Sequence, residues 1–169
     1  MFEEAIKKIP PEKRVYIDET GIQKNLTRDR SLVKRGTVYV EKIRSGHHHE
    51  RVNVIGALRG NQMIALASFV GTCNGELFNT WLDTKACPKF SADDVLIMDN
   101  APFHFRNEIV KIAKRHSCKV LFLPPYSPEL NPIEHYWAHL KAWLKNFTGS
   151  VLSACAQISC YFGVKIQRA

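Results

Sequence analysis

The sequence predicts an α/β fold in which a mixed sheet carries helices on both faces. Apolar runs of strand length, such as "RVYID" and "DVLIMD", alternate along the chain with segments of helical period. Strands separated by helices favour parallel neighbours joined by right-handed crossovers. The two apolar runs of "ERVNVIGALRGNQMIALASFVG" are instead separated by Arg59, Gly60 and Asn61, which predicts an antiparallel hairpin.

Local patterns predict the elements in turn. A short helix from Phe2 to Lys8 is closed by Pro10 and Pro11 and leads into the strand "RVYID". After the hairpin, "NGELFNTWLDTKA" has helical spacing, with Asn74 as its N-cap. The strand "DVLIMD", the helix "FRNEIVKIAKRHS" with basic residues at its end, and the strand "KVLFLP" follow.

The most strongly periodic helix is "NPIEHYWAHLKAWLKNF". Its apolar residues recur at i, i+4, i+7 and i+11 from Ile133, which predicts one buried stripe. Asn131 is a natural N-cap and Pro132 suits the first helical position. The composition of the last segment, "VLSACAQISCYF", fits a helix or a strand nearly equally well.

The bulk composition predicts one domain. A chain of 169 residues with 45% hydrophobic content can bury one core, and no linker or composition shift separates two parts. No run reaches the roughly 18 apolar residues of a membrane span, and no signal peptide is present, so we expect a cytoplasmic protein without membrane contact. Five cysteines without a C-x-x-C pair predict reduced thiols.

The positive charge is concentrated in residues 22–51. This segment carries eight Lys and Arg residues against three acids, within a chain of formal net charge +8. Such a cluster attracts a polyanion such as DNA, although it could equally be a solvated surface that keeps the protein soluble. Three consecutive histidines in this segment are not predicted to share one metal ion. The candidate DNA-binding residues are Lys24, Arg28, Arg30, Lys34, Arg35 and Arg44.

Three acidic residues are predicted to converge. Asp18 and Asp99 each follow an apolar strand, and neighbouring parallel strands would bring these side chains together at one sheet edge. Glu134 begins the strongest helix, where it could face the same place. It could instead fold back on Asn131 in a capping box. Three carboxylates at one point suit Mg²⁺, which prefers oxygen ligands.

Aromatic and acidic residues near the three carboxylates are also considered for structural roles. Trp137 and Trp143 are predicted to pack in the core rather than stack on bases. For Tyr126, in the loop before the strongest helix, packing and base stacking remain equally open. Asp93 and Asp94 precede their strand and are predicted to be solvated turn residues.

The motifs "YIDET", "MDNAPFH" and "LPPYSPELNPIEHYW" resemble the catalytic motifs of DDE transposases of the mariner superfamily, in particular its bacterial insertion-sequence branch. The interval of 34 residues between Asp99 and Glu134 is characteristic of that superfamily. The resemblance implies an RNase H-like catalytic domain over residues 1–169, with its core at about 15–147.

The resemblance also implies a chemistry. Asp18, Asp99 and Glu134 would hold two Mg²⁺ or Mn²⁺ ions, with Asp18 bridging them. The reaction would be hydrolysis at transposon ends, followed by attack of the freed 3′-hydroxyl on target DNA. Asn100 and His104 match the family motif in "MDNAPFH". Together with Asn131, they are candidates for residues that support the active site. His104 could contact the scissile phosphate, orient a carboxylate, or only begin a helix.

The resemblance has a limit as well. Family members carry an amino-terminal helix-turn-helix region that reads transposon ends, and no such region precedes Asp18. We therefore expect end recognition to come from elsewhere, such as a separate reading frame, and a homodimer to assemble on DNA at the bacterial nucleoid. Two alternatives remain: a non-catalytic DNA-binding or regulatory fragment, and another RNase H-like nuclease such as a junction resolvase.

Overall fold

The computed structural model describes residues 2–23, 51–100, 105–147 and 150–163. The predicted elements form with small differences at their ends. The undecided last segment is a helix. The strands are β1 (Arg14–Gln23), β2 (Arg51–Arg59), β3 (Gln62–Val70), β4 (Val95–Met98) and β5 (Lys119–Phe122). The helices are α1 (Phe2–Lys7), α2 (Gly75–Trp81), α3 (Arg106–Arg115), α4 (Ile133–Asn146) and α5 (Val151–Tyr161).

The five strands form one mixed sheet in the order β3-β2-β1-β4-β5. The pairs β1–β2 and β2–β3 are antiparallel, while β1–β4 and β4–β5 are parallel. The predicted hairpin turns at Gly60, whose φ of 57° is a conformation that glycine adopts without steric cost. The predicted α/β class with a mixed sheet is confirmed.

Helices pack on both faces of the sheet, as predicted. On one face, Val15 and Ile17 of β1 belong to a buried cluster with residues of α2 and α3, including Phe78 and Ile109. On the other face, alternate strand residues pack against α4 and α5. This alternation follows from the two-residue period of strands. The core is therefore divided into two layers by the sheet.

The first strand is longer than predicted. β1 continues five residues beyond Asp18 to Gln23, so Asp18 is not at the end of its strand. The apolar run ends at Ile17, but β2 pairs with β1 over its whole remaining length and satisfies the backbone of the polar residues that follow. The parallel pairing with β4, by contrast, ends at Ile17 and Met98. Asp18 therefore lies where β4 and β5 have both ended and where β1, β2 and β3 continue.

The prediction for Asp94 is wrong. Its side chain is 1% exposed, forms an ion pair with Arg59 and accepts a hydrogen bond of 2.7 Å from the backbone N–H of Ser91. This buried pair joins the end of β2 to the start of β4. Asp93 is exposed, as predicted, with Lys119 Nζ at 3.2 Å from Oδ1.

Two further observations concern the cysteines and the helices. All five cysteines lie in the described ranges and are free thiols, as predicted. No helix among the described residues is both long and apolar enough to cross a bilayer.

Candidate active site

Asp18 and Asp99 are adjacent because of the strand register. β1 and β4 run parallel and pair Ile17 with Met98, so the next residue of each strand is an aspartate. Asp18 is held in the middle of β1 and is only 9% exposed. Asp99 follows the last residue of β4 and is exposed. One carboxylate is thus fixed in the sheet, and the other stands at its rim.

Glu134 reaches the same region from the first turn of α4. A short 3-10 turn, Pro128–Leu130, and Asn131 connect the preceding loop to this helix. The capping-box alternative is not supported, because the backbone N–H of Asn131 already donates to the carbonyl of Pro128 at 2.9 Å. The side chain of Glu134 is exposed and lines the cleft described below.

The prediction that Asn131 caps α4 is wrong. Its Oδ1 atom is buried, and no hydrogen-bond donor within the described ranges contacts it. The residue is 4% exposed and has an extended backbone, with φ of −111° and ψ of 96°. An unpartnered buried amide oxygen is costly unless a ligand or water satisfies it.

A cleft of about 430 Å³ brings the predicted residues together. Asp18, Asp99 and Glu134 line it, together with Asn100 and Asn131. The rest of its wall is the proline-rich loop from Leu123 to Pro128. The cleft lies at the carboxyl end of β4, where ligands bind in open α/β sheets.

Burial and like charges act strongly on Asp18. Loss of solvent on burial, with the nearby carboxylates of Glu19 and Glu134, raises the pKa of Asp18 from 3.8 to about 7. Hydrogen bonds from the Trp137 side chain and the Glu19 backbone lower it by a smaller amount. The charged form of Asp18 is therefore energetically unfavourable in the protein without a bound cation. A cation in the cleft would stabilise this charged form.

Sequence reasoning missed the partner of Asp18. The indole N–H of Trp137, which is fully buried, donates to Asp18 Oδ2 at 2.9 Å. The packing prediction for Trp137 is confirmed, but its polar role is new. Gly56, within an apolar strand, was the available signal, because a glycine inside a strand often marks the close approach of another group.

The predictions for Trp143 and Tyr126 have different outcomes. Trp143 packs with its ring centroid 5.1 Å from those of Phe147 and Tyr161, as predicted. Tyr126 is fully exposed at the cleft and has a φ of 56°, an uncommon conformation for a bulky residue. The packing interpretation of Tyr126 is wrong, and base stacking stays a prediction.

The donor set in the cleft has the chemistry of a hard-cation site. Carboxylates and an unpartnered amide oxygen are the ligand types of Mg²⁺ and Mn²⁺. Within the described ranges, however, no three His, Cys, Asp or Glu side chains are grouped around one point as a metal would require. Asp99 and Glu134 are exposed at the cleft, whereas Asp18 is buried.

Comparison with known proteins identifies the family. The profile of the DDE superfamily endonucleases matches residues 13–153. The chain belongs to this family. As a DDE superfamily endonuclease, it is 31% identical over 108 residues to the Tcb1 transposable-element transposase of Caenorhabditis briggsae, covering 62% of this chain and 40% of that protein. It is 41% identical over 61 residues to protein y4pE/y4sA of Sinorhizobium fredii, covering 33% of this chain and 43% of that protein.

Solved structures share the fold of this DDE superfamily endonuclease. The Mos1 transposase paired-end complex with left transposon end has a TM-score of 0.73 at 19% identity, covering 98% of this chain and 52% of that one. The Mos1 transposase catalytic domain with Raltegravir and Mg has a TM-score of 0.66 at 18% identity, covering 97% and 77%. The RNase H-like fold implied by the resemblance is therefore confirmed. The chain spans less than half the length of these two curated relatives, 40% of one and 43% of the other.

Several predicted residues lie outside the described ranges. They are His104 and the candidate DNA-binding residues Lys24, Arg28, Arg30, Lys34, Arg35 and Arg44.

Proposed function

We propose that this chain is the catalytic domain of a cut-and-paste DNA transposase. It would cleave DNA at transposon ends and join the freed 3′-hydroxyl to target DNA. The single observation that carries the proposal is the cleft, because the three carboxylates of the DDE motifs, Asp18, Asp99 and Glu134, all line it. Membership of the DDE superfamily endonucleases supports the same chemistry.

The same three carboxylates would hold two Mg²⁺ or Mn²⁺ ions. When bound, the ions would activate a water or a 3′-hydroxyl and stabilise the leaving oxygen of the phosphodiester. Solved structures of the Mos1 catalytic domain with Mg and with Mn support this choice of metal. The raised pKa of Asp18 supports it as well, since a cation would offset the repulsion from Glu19 and Glu134.

The residues that line the cleft would have different roles in the reaction. Asp18 is buried in the sheet and would supply a fixed oxygen, whereas the exposed Asp99 and Glu134 would adjust around the substrate. Asn131 would direct its unpartnered Oδ1 to a ligand or its water shell. The prolines of the loop restrict its backbone and so fix the direction from which α4 enters the cleft.

DNA is the proposed partner, and the basic sequence segment of residues 22–51 is the proposed binding region. The Mos1 transposase of similar fold has been solved in a paired-end complex with a transposon end, which supports this assignment. We further propose a homodimer on DNA, membership of the bacterial insertion-sequence branch, and action at the nucleoid. We also propose that a helix-turn-helix region from a separate reading frame takes part in the recognition of transposon ends.

Nicking of supercoiled plasmid by the purified chain tests the function. We expect nicking in Mn²⁺ or Mg²⁺ and none in Ca²⁺, and we expect Asp99→Asn to abolish it without changing the fold. Asp93→Asn is the matched control, because it makes the same change just before β4, outside the cleft. Equal nicking by wild type and Asp99→Asn would contradict the proposal.

A regulatory fragment is the second candidate. It is favoured by the basic segment of residues 22–51, whose charge would attract DNA whether or not the cleft cleaves it. Such a fragment would bind DNA and associate with a full-length transposase without cleaving. Metal-dependent nicking that disappears in Asp99→Asn would exclude it.

A further inference from the structure

We propose that Trp137 is a positioning residue that fixes the carboxylate of Asp18 for metal binding, in a space provided by Gly56 and closed by Phe162. The inference rests on the proposed function, because it assigns a role to residues behind the proposed metal ligand. It also gives the end of α5 a role in the site.

The first step is the contact itself. Trp137 is fully buried and Asp18 is 9% exposed, and the indole N–H lies 2.9 Å from Oδ2 of the carboxylate. Hydrogen bonds to an ionised oxygen are stronger than neutral ones, and this donor has no second function because indole only donates. The bond restrains the carboxylate of Asp18 from the side of α4, while Asp18 also lines the cleft.

The second step explains how a tryptophan fits beside an aspartate in a sheet. Gly56 of β2 is paired with Asp18 in the antiparallel register. A Cβ atom at Gly56 would lie 2.7 Å from Cη2 of Trp137 and 2.9 Å from Sδ of Met63, which is closer than real Cβ contacts. The indole therefore occupies the space that a side chain at this position would fill. Gly56 is needed here for close approach rather than for backbone freedom.

The third step concerns a second contact of the indole, with an aromatic ring. Phe162, directly after α5, contacts Trp137 edge to face, with ring centroids 6.1 Å apart and an interplanar angle of 83°. This is a favoured arrangement of aromatic rings. α5 is itself anchored to the sheet, because the Ser68 hydroxyl of β3 donates to the carbonyl of Cys155 at 2.8 Å. The C-terminal helix thus limits the movement of the group that holds Asp18.

The chemical consequence is that Asp18 is oriented before any ligand arrives. Groups that hydrogen-bond a metal-binding side chain from behind fix its direction, and their loss typically weakens metal affinity or activity by about 10- to 100-fold. We expect Trp137→Phe, which keeps a ring but removes the N–H, to weaken Mn²⁺ binding by about tenfold.

Trp81→Phe is the matched control. Trp81 is also buried, at 5% exposed, in the cluster on the opposite face, and its Nε1 has no hydrogen-bond partner within the described ranges. Both substitutions therefore remove the same atoms from a core, but only one removes a bond to a carboxylate. A purely structural role for Trp137 predicts the same behaviour for the two variants.

The experiment measures Mn²⁺ binding to the DNA-free chain from the electron paramagnetic resonance of free Mn²⁺, with thermal unfolding of each variant alongside. We expect both variants to lose stability, but only Trp137→Phe to bind Mn²⁺ about tenfold more weakly than wild type. Gly56→Ala, which displaces the indole, should weaken binding similarly. Phe162→Leu is expected to fold and to weaken binding about threefold, a smaller loss than deletion of the hydrogen bond.

The outcomes separate this inference from the proposed function. If wild type, Trp81→Phe and Trp137→Phe bind Mn²⁺ equally and nick plasmid, the positioning role is refuted and the proposed function stands. If Trp137→Phe does not fold, the other two variants decide. Equal Mn²⁺ binding by wild type, Gly56→Ala and Phe162→Leu would then refute the positioning role of Trp137. If neither wild type nor Trp81→Phe binds Mn²⁺, the proposed function fails and the positioning role fails with it.

Discussion

The substitution Asp18→Asn should make the metal-free protein more stable above neutral pH. Asn keeps the size of the side chain and an oxygen for the indole N–H of Trp137, but it removes the buried charge. Burial and the carboxylates of Glu19 and Glu134 raise the pKa of Asp18 from 3.8 to about 7. Removal of that charge therefore relieves a cost that the wild-type chain meets whenever Asp18 is ionised.

The size and the pH range of this effect follow from proton linkage. A carboxyl with a raised folded-state pKa binds more protons in the folded chain, so its contribution to stability falls as the pH rises from 3.8 to about 7. The difference between the unfolded and folded pKa values of Asp18 corresponds to about 4 kcal/mol of unfolding free energy at pH 8, by which Asp18→Asn should exceed the wild type. The same relation gives about 1.5 kcal/mol at pH 5 and almost nothing below pH 4.

Urea denaturation of both proteins between pH 4 and pH 8, with a chelator present, measures this difference directly. We expect the advantage of Asp18→Asn to grow with pH, and Mg²⁺ at pH 8 to stabilise the wild type while leaving the variant unchanged. Glu76→Gln, an exposed change at the start of α2, is the control and should show no comparable trend. A difference between wild type and Asp18→Asn that stays flat from pH 4 to pH 8 would refute the reasoning.

Two other substitutions test features outside the carboxylates. Tyr126 has a φ of 56°, so Tyr126→Gly should raise the unfolding free energy by about 1 kcal/mol in denaturation experiments, because glycine adopts this conformation without steric cost. A loss of stability would contradict that strain. Asp94→Ala should lower the unfolding free energy by about 3 kcal/mol, because it leaves Arg59 without its buried partner. Asp93→Ala, at an exposed site, should cost almost nothing in the same thermal unfolding assay.

Local patterns were sufficient for most of the fold. The hairpin follows from two apolar runs with a short turn at Gly60, and α4 follows from the regular spacing of its buried residues. The error at β1 has a tertiary cause. Its second half is polar and would not form a strand alone, but nine consecutive residue pairs with β2, from Val15–Arg59 to Gln23–Arg51, hold it in the sheet.

The convergence of three acidic residues on one cleft was predictable, but the contacts that support them were not. Asp18, Asp99 and Glu134 were found from strand ends and motif spacing, and all three line one cleft. Asn131 has the residue type of an N-cap, yet its backbone is directed by the preceding 3-10 turn and its side chain by burial. The Trp137–Asp18 hydrogen bond joins residues 119 positions apart, so no local pattern could predict it.

The strand order has a consequence for when the site forms during folding. β2 and β3 are neighbours in sequence and in space, so their pairing closes only a short loop. The pairing of Arg14 with Val95 joins distant parts of the chain, and contacts of this kind form slowly. Asp18 meets Asp99 only when that parallel pairing is complete. A partly folded chain therefore has the β2–β3 hairpin before it has the cleft, so the proposed metal site would form only once the domain is whole.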